Sequence, residues 1–162
     1  DSSLGYINAI QKAREANIPY LGTWSGFQHA LVEYAKNVLQ VGSANDQSGI
    51  SGLFSILITK MVCSLVGESQ EIIISTKSLA HSIYKKESTV EQYNCGYSLN
   101  EKYRNQFEDT GLLFSGVDRD GDVRMIEIPG NRFFLAMLFQ PQLNKTELSH
   151  PVIVSFLSEA SR

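Results

Sequence analysis

Apolar residues fall at 4, 7, 10 and 13 of the first stretch, with polar residues between them, and this spacing predicts a helix over residues 4–16. Asn17-Ile18-Pro19 ends it, and a short buried strand is expected over 18–21. A second helix is predicted over 27–39, with Phe27, Ala30, Leu31, Tyr34, Ala35 and Val38 on one face. Gly, Ser, Asn and Asp dominate residues 42–52, which read as a loop. Residues 54–66 are strongly apolar and rich in β-formers, so they read as strand, as do 71–75 and, through a weaker alternation, 90–99. A short helix over 101–109 has Asn100 as its N-cap. Strands are predicted over 112–117, 123–128 and 133–139. The first two are joined by a hairpin turn at residues 118–122, Asp-Arg-Asp-Gly-Asp, and a last helix covers 151–160.

Helices alternating with short apolar strands predict an α/β layered domain around a parallel sheet. The length of 162 residues suits one domain spanning 1–162. A helix opens the chain and only one strand precedes residue 24. A parallel sheet covered on both faces needs more strands there, so the expectation is that N-terminal strands of the natural domain precede this sequence.

The strand at 18–21 runs into Gly22-Thr-Trp24-Ser25-Gly26, and a helix follows. This is the layout of a nucleophile elbow, a tight turn that presents its central side chain. Small flanking residues suit such a turn, because glycine tolerates strained dihedrals. The centre, however, is Trp24, whose indole cannot attack a carbonyl under mild conditions. Ser25 sits one residue off the apex. Its backbone N–H fits an oxyanion site better than its hydroxyl fits a nucleophile.

Composition narrows the function classes. The net charge of −3 argues against a nucleic-acid binder. No apolar run approaches the roughly 20 residues that span a bilayer, so no membrane role is expected. Cys63 and Cys95 make no disulfide framework, which points to a reducing cytoplasm. Cys63 is expected in the core of an apolar strand. His81 and His150 read as structural or exposed, with His150-Pro151 starting the last helix. His29, one turn past Trp24, faces the pocket, its own helix surface or the core. Asp118, Asp120 and Asp122 suggest calcium only superficially: an EF-hand loop needs Gly at its sixth position, whereas Gly121 is fourth, so a solvated turn is expected and no metal site. No cofactor is expected.

Several segments together carry a family resemblance. Residues 8–22 (Asn-Ala-Ile-Gln-Lys-Ala-Arg-Glu-Ala-Asn-Ile-Pro-Tyr-Leu-Gly) and 26–38 closely resemble the glutamine amidotransferase domain of CTP synthase. So do Phe107-Glu-Asp-Thr-Gly-Leu112, Ile126-Glu-Ile-Pro129 and residues 133–151. The likeness spans nearly the whole chain and is weakest over 42–86. Gly-Thr-x-x-Gly-Phe-Gln-His at 22–29 and Phe-Gln-Pro at 139–141 resemble a stand-alone group of proteins related to the CTP synthase C-terminal domain. The resemblance implies a three-layer α/β sandwich, flavodoxin-like, of the class I glutamine amidotransferase type, and a place in pyrimidine metabolism.

It also implies a Cys-His-Glu triad: an elbow Cys attacks the glutamine amide, a His acts as base, and a Glu orients the His. The matching positions here hold Trp24, Gln140 and Gln142, with Pro141 kept. A family Arg near 94–96, before the Tyr matching Tyr97, grips the glutamine carboxylate, yet no Arg stands between Arg14 and Arg104. A family Glu after the elbow helix meets the glutamine amine, yet residues 34–67 contain no Glu. Gln28 matches a residue lining the glutamine pocket, and the family's Gly-rich oxyanion loop would precede Asp1. No phosphate-binding loop for ATP is present, so this chain alone does not make CTP. The substrate-side residues carried over are Gly22, Ser25, Gly26, Gln28 and Tyr97.

Trp24 leaves three readings open. It fills a site without catalysis. It stands where the native protein has Cys or selenocysteine, whose codons differ from the Trp codon by one base, and some stand-alone relatives resemble selenoproteins here. Or it stacks on a ligand in a repurposed pocket. Under the second reading Cys95 is the candidate partner thiol, and the chemistry is thiol or selenol redox or acyl transfer. The leading expectation is a protein that is not a glutaminase and that binds a small amino-acid-like ligand or a partner protein.

Overall fold

The computed structural model describes residues 2–42, 49–144 and 149–162. Helix α1 (Ser2–Glu15) buries Ile7, Ile10 and Ala13, three residues apart, while Leu4, expected on the same face, is exposed. Asn17 closes the helix in the left-handed region at φ 54°, and its side chain accepts the Arg132 N–H at 2.6 Å. Pro19 keeps Ile18 extended, and β1 (Tyr20–Thr23) follows.

Helix α2 (Ser25–Asn37) is buried almost all round because α1, α3 and the sheet each cover part of it. It ends before Val38, which is exposed and off the face assigned to it. The fully buried Glu33 on α2 takes a forked pair from Arg14 of α1, Nη2 to Oε1 at 2.7 Å and Nε to Oε2 at 3.0 Å, and Asn37 adds a third donor. Two ends of charge thus meet in an otherwise apolar helix seam and fix the register of α1 on α2.

Residues 43–48 of the predicted 42–52 loop lie outside the described residues. From Gly49 onward the chain is helical: α3 (Gly49–Leu57) buries Leu53 and Leu57, one turn apart, against α2. The strand expected over 54–66 shrinks to β2 (Ile58–Lys60). A run of apolar residues this short fits either period, and packing on α2 selects the helix. Beyond Lys60 the chain turns outward, so Cys63 is exposed, not part of the core.

The predicted parallel sheet is in fact mixed. Strands β3 (Ser69–Ile74), β4 (Ser88–Gln92), β6 (Leu113–Val117), β7 (Val123–Glu127) and β8 (Phe134–Met137) join β1 in the order β1-β8-β7-β6-β3-β4. Only β1 and β8 are parallel. The cause is connection length: a parallel crossover needs a dozen or more residues, and 118–122 and 128–133 are too short to supply one. The segment read as one strand over 90–99 is two: β4 in the large sheet and β5 (Tyr97–Leu99), which pairs antiparallel with β2. The short helix at Glu101–Gln106 is of the 3-10 type, and Asn100 caps it as expected by accepting from the Lys102 N–H. Asp118 accepts from the N–H groups of Asp120 and Asp122, so the hairpin forms as expected, but it is not fully solvated: Asp118 is buried and paired with Arg124 at 2.7 Å.

Helix α4 (Leu79–Tyr84) and α5 (Pro151–Ala160) pack on each other, α4 also against β6, while α1 to α3 gather at the β1–β8 end. This is the helix–sheet–helix layering of an α/β domain. Glu127 on the central strand β7 reaches the start of α4, its carboxylate accepting from the N–H groups of Leu79 (2.8 Å) and Ala80 (3.2 Å). Burial raises its pKa above the ordinary 4.5 despite those bonds. His150 is buried and opens α5; its Nδ1 accepts from Val152 N–H and its Nε2 meets Glu91 at 3.0 Å, with Tyr84 donating to the same carboxylate. It is therefore structural rather than exposed.

Two outcomes are expected. Glu33→Ala strands the Arg14 guanidinium and should cost about 3 kcal/mol in urea unfolding, most of which Arg14→Met/Glu33→Leu should recover. Glu127 favours the folded state in its protonated form, so its contribution is fully present below about pH 4.5 and is lost as pH rises through its raised folded value. Stability measured across that window should therefore fall more steeply with rising pH in the wild type than in Glu127→Gln.

Candidate active-site elbow and its cavity

The elbow forms as the sequence predicts. Strand β1 ends at Thr23, α2 begins at Ser25, and Trp24 alone makes the turn at φ 50°, ψ −109°. An L side chain reaches such a conformation only at a cost of about 1–3 kcal/mol, and the surroundings hold it there. Trp24 N–H donates to Met137 O of β8 at 3.0 Å, and Trp24 O accepts the Phe27 N–H at 3.1 Å to start the helix. The side chain is thereby thrown outward, 46% exposed.

Tyr20 explains the two glycines. Its hydroxyl donates to Gly26 O at 2.9 Å and lies over Gly22, where an added Cβ would sit 2.6 Å from that oxygen and 3.0 Å from the Gly26 carbonyl carbon. Its ring also packs, tilted by 30°, on Phe134 of β8, centroids 4.7 Å apart. Burial raises the phenol pKa, which keeps it a neutral donor. Ser25 and Gly26 open α2, and the first N–H groups of a helix have no acceptor within it.

Trp24, Gln28, Cys95 and Tyr97 meet at one cavity of about 440 Å³. Phe54 and Ile58 complete its apolar wall, and the sequence reading missed both by placing 54–66 in a strand. The spacing Leu53–Leu57 was the available signal for the helix that carries Phe54. Gln28 is 7% exposed; its Nε2 donates to Tyr97 O at 3.1 Å and touches Cys95 Sγ at 3.5 Å. The Cys95 thiol is buried and donates to Tyr97 O at 3.1 Å. His29 does not line the cavity: its Nδ1 binds Ser25 O at 2.7 Å and its ring lies between Tyr6 and Phe54, joining α1, α2 and α3.

Gln140 follows β8, the parallel neighbour of β1, so it and the elbow stand beyond the same ends of two adjacent strands, the customary location of α/β active sites. It is half-buried, donates its N–H to Gln92 O at 3.0 Å and precedes a 3-10 turn at Pro141–Leu143. Gln142 in that turn is exposed. Neither glutamine lines the cavity that holds Trp24.

No protein-family model matches the chain. It is 35% identical over 163 residues to the CTP synthase of Saccharolobus solfataricus, covering 94% of this chain and 30% of that protein. It is 35% identical over 180 residues to the CTP synthase of Staphylococcus carnosus, covering 99% of this chain and 32% of that one. The chain thus spans about 30–32% of the length of these curated relatives. Among solved structures it superposes on the glutaminase domain of Trypanosoma brucei CTPS with bound acivicin at a TM-score of 0.85, with 28% identity over 98% of this chain and 66% of that one. Fold and elbow together define an α/β domain of the class I glutamine amidotransferase type. Within that class, the chain is a relative of the glutaminase domain of CTP synthase.

The strain at residue 24 can be read directly. Trp24→Gly should be more stable than Trp24→Ala by about 1–2 kcal/mol in chemical unfolding, because glycine alone occupies this backbone region freely. The opposite order would show that the turn relaxes once the indole is gone.

Proposed function

We propose that this domain is not a glutaminase and works as a binding module on the glutaminase scaffold, taking a small molecule or a partner protein at the elbow. The observation that carries this reading is Trp24 at the elbow apex, an indole where the family's chemistry needs a thiolate. Two further positions agree with it. Gln140 and Gln142 occupy the sites that the resemblance assigns to the base and its supporting carboxylate, and an amide takes no proton near neutral pH. An amino-acid-like ligand is the natural first candidate from the family, and the two free cysteines suit a cytoplasmic setting. CTP formation itself belongs to the longer relatives and is not assigned to this chain.

A second reading is favoured by one placement in space. Residue 24 and Cys95 line the same cavity. If the native residue 24 is Cys or selenocysteine, two chalcogens lining one cavity suit thiol or selenol redox or acyl-transfer chemistry, for which a low-pKa chalcogen needs no histidine base. The mass of the native peptide containing residue 24 decides between the two readings.

The expected outcome for the purified protein is no ammonia release from glutamine above the uncatalysed background. Trp24→Cys should remain inactive as well, and so should Trp24→Cys/Gln140→His/Gln142→Glu, because neither variant supplies a charged partner for the glutamine ammonium or carboxylate at this cavity. Ammonia release by the unaltered protein would overturn the reading.

A further inference from the structure

The proposal that the elbow cavity binds a ligand leaves the chemistry of that ligand open, and the cavity walls restrict it. Among the described residues no Asp, Glu, Lys, Arg or His lines the space. A free amino acid brings both an ammonium and a carboxylate, and each loses its hydration on entry with no opposite charge to meet it. The walls are instead aromatic and apolar. Trp24 and Tyr97, 46% and 51% exposed, both line this cavity, and Phe54 and Ile58 are more buried. Flat rings stack on such surfaces, and pockets of this volume accept one small ring system with room to spare.

One buried polar group gives the cavity direction. Gln28 is 93% buried, and its Nε2 donates to Tyr97 O. A backbone carbonyl can only accept, so this bond settles which end of the Gln28 amide is nitrogen and which is oxygen. Its Oε1 then has no hydrogen-bond partner among the described residues, although the side chain lines the cavity. Cys95 does not compete for a ligand donor, since its sulfur already donates to Tyr97 O and accepts from Tyr97 N–H at 3.4 Å. The cavity therefore presents aromatic faces, no charged side chain, the exposed Asn94 amide and one buried, fixed acceptor.

Resting on the binding reading above, we infer that this site takes an uncharged planar ring bearing an N–H, a ring amide or aromatic carboxamide, which donates to Gln28 Oε1 while its face lies against Trp24 and Tyr97. It excludes the zwitterion that the ancestral scaffold would hold. The restriction arises from Tyr97 in two ways. Its ring supplies a wall, and its carbonyl turns the Gln28 amide so that an acceptor, not a donor, is left for the ligand.

Trp24 is the single tryptophan of the chain, so its emission reports this cavity and nothing else. The protein is titrated with benzamide, with methyl benzoate (neutral and planar but without N–H), with benzoate and with glutamine. Benzamide should perturb Trp24 emission saturably and bind at least about tenfold more tightly than benzoate or glutamine, because a charge enters this space unpaired. It should exceed methyl benzoate by roughly threefold to tenfold, the span of one neutral hydrogen bond. Gln28→Met should bring benzamide down to the methyl benzoate level; the comparison of the two probes on the unaltered protein stands even if that variant folds poorly. Equal or tighter binding of glutamine or benzoate overturns the inference while leaving a binding module in place. Failure of all four probes to saturate overturns it as well, and the ammonia assay then judges the broader reading separately.

Discussion

The Tyr20 hydroxyl, held to Gly26 O across a bare Gly22, is the contact around which this site is organised. It ties Tyr20, the first residue of β1, to the first turn of α2, and a single residue is left to make the reversal between strand and helix. That residue is driven to φ 50°, and its N–H is claimed by Met137 of the neighbouring parallel strand. With both ends fixed, whatever side chain stands at position 24 is presented outward. The geometry that serves a nucleophile is retained around a residue that has no nucleophilic atom. The strain is set by the backbone contacts on either side of the turn, whatever side chain stands at its apex.

The rest of the domain supports that turn from three sides. Arg14 and Glu33 lock α1 to α2 with a forked ion pair whose carboxylate is fully buried, so the helix leaving the elbow cannot slide. Strands β7 and β8 are buried along their whole lengths, and β8 provides both the Phe134 ring under Tyr20 and the Met137 carbonyl at Trp24. Helix α3 supplies Phe54 as one wall of the cavity. On the opposite wall the chain leaves the large sheet after β4, passes Asn94, Cys95 and Gly96, and enters the small sheet at Tyr97. The cavity therefore sits where two sheets exchange one chain, and its polar character is set by backbone groups of that crossing more than by charged side chains.

The elbow was legible in the sequence because its signal is local. A buried strand, two glycines four residues apart and an apolar helical face following at once leave few alternatives, and the helices at 2–15, 25–37 and 151–160 announce themselves through period and caps in the same way. Asn100 and the 118–122 hairpin were equally readable, since a cap and a tight turn depend on side chains next to the backbone they serve. What failed were segments whose state depends on a distant neighbour. Residues 54–66 carry β-formers, yet Leu53 and Leu57 find α2 and the segment folds as helix up to Leu57. Cys63, counted in that strand, is exposed because the strand ends three residues before it. The sheet's mixed direction followed from connection lengths already visible around residues 120 and 130, but the alternation of helices and strands concealed it.

The sequence by itself determined the class of domain, the elbow, and the identity of the residue at its apex, because these rest on short-range spacing and on which atoms a side chain contains. It also fixed the absence of arginine between 14 and 104 and of glutamate between 34 and 67, because that depends on composition alone. Only the tertiary structure decided that Trp24, Gln28, Phe54, Cys95 and Tyr97 share one cavity, since those residues lie on three separate elements and a sheet crossing. It alone decided that Asp118 and His150 are buried partners and not exposed polar groups. It alone turned the Gln28 amide, because a hydrogen bond to a carbonyl 69 positions away cannot be read from either end of the chain.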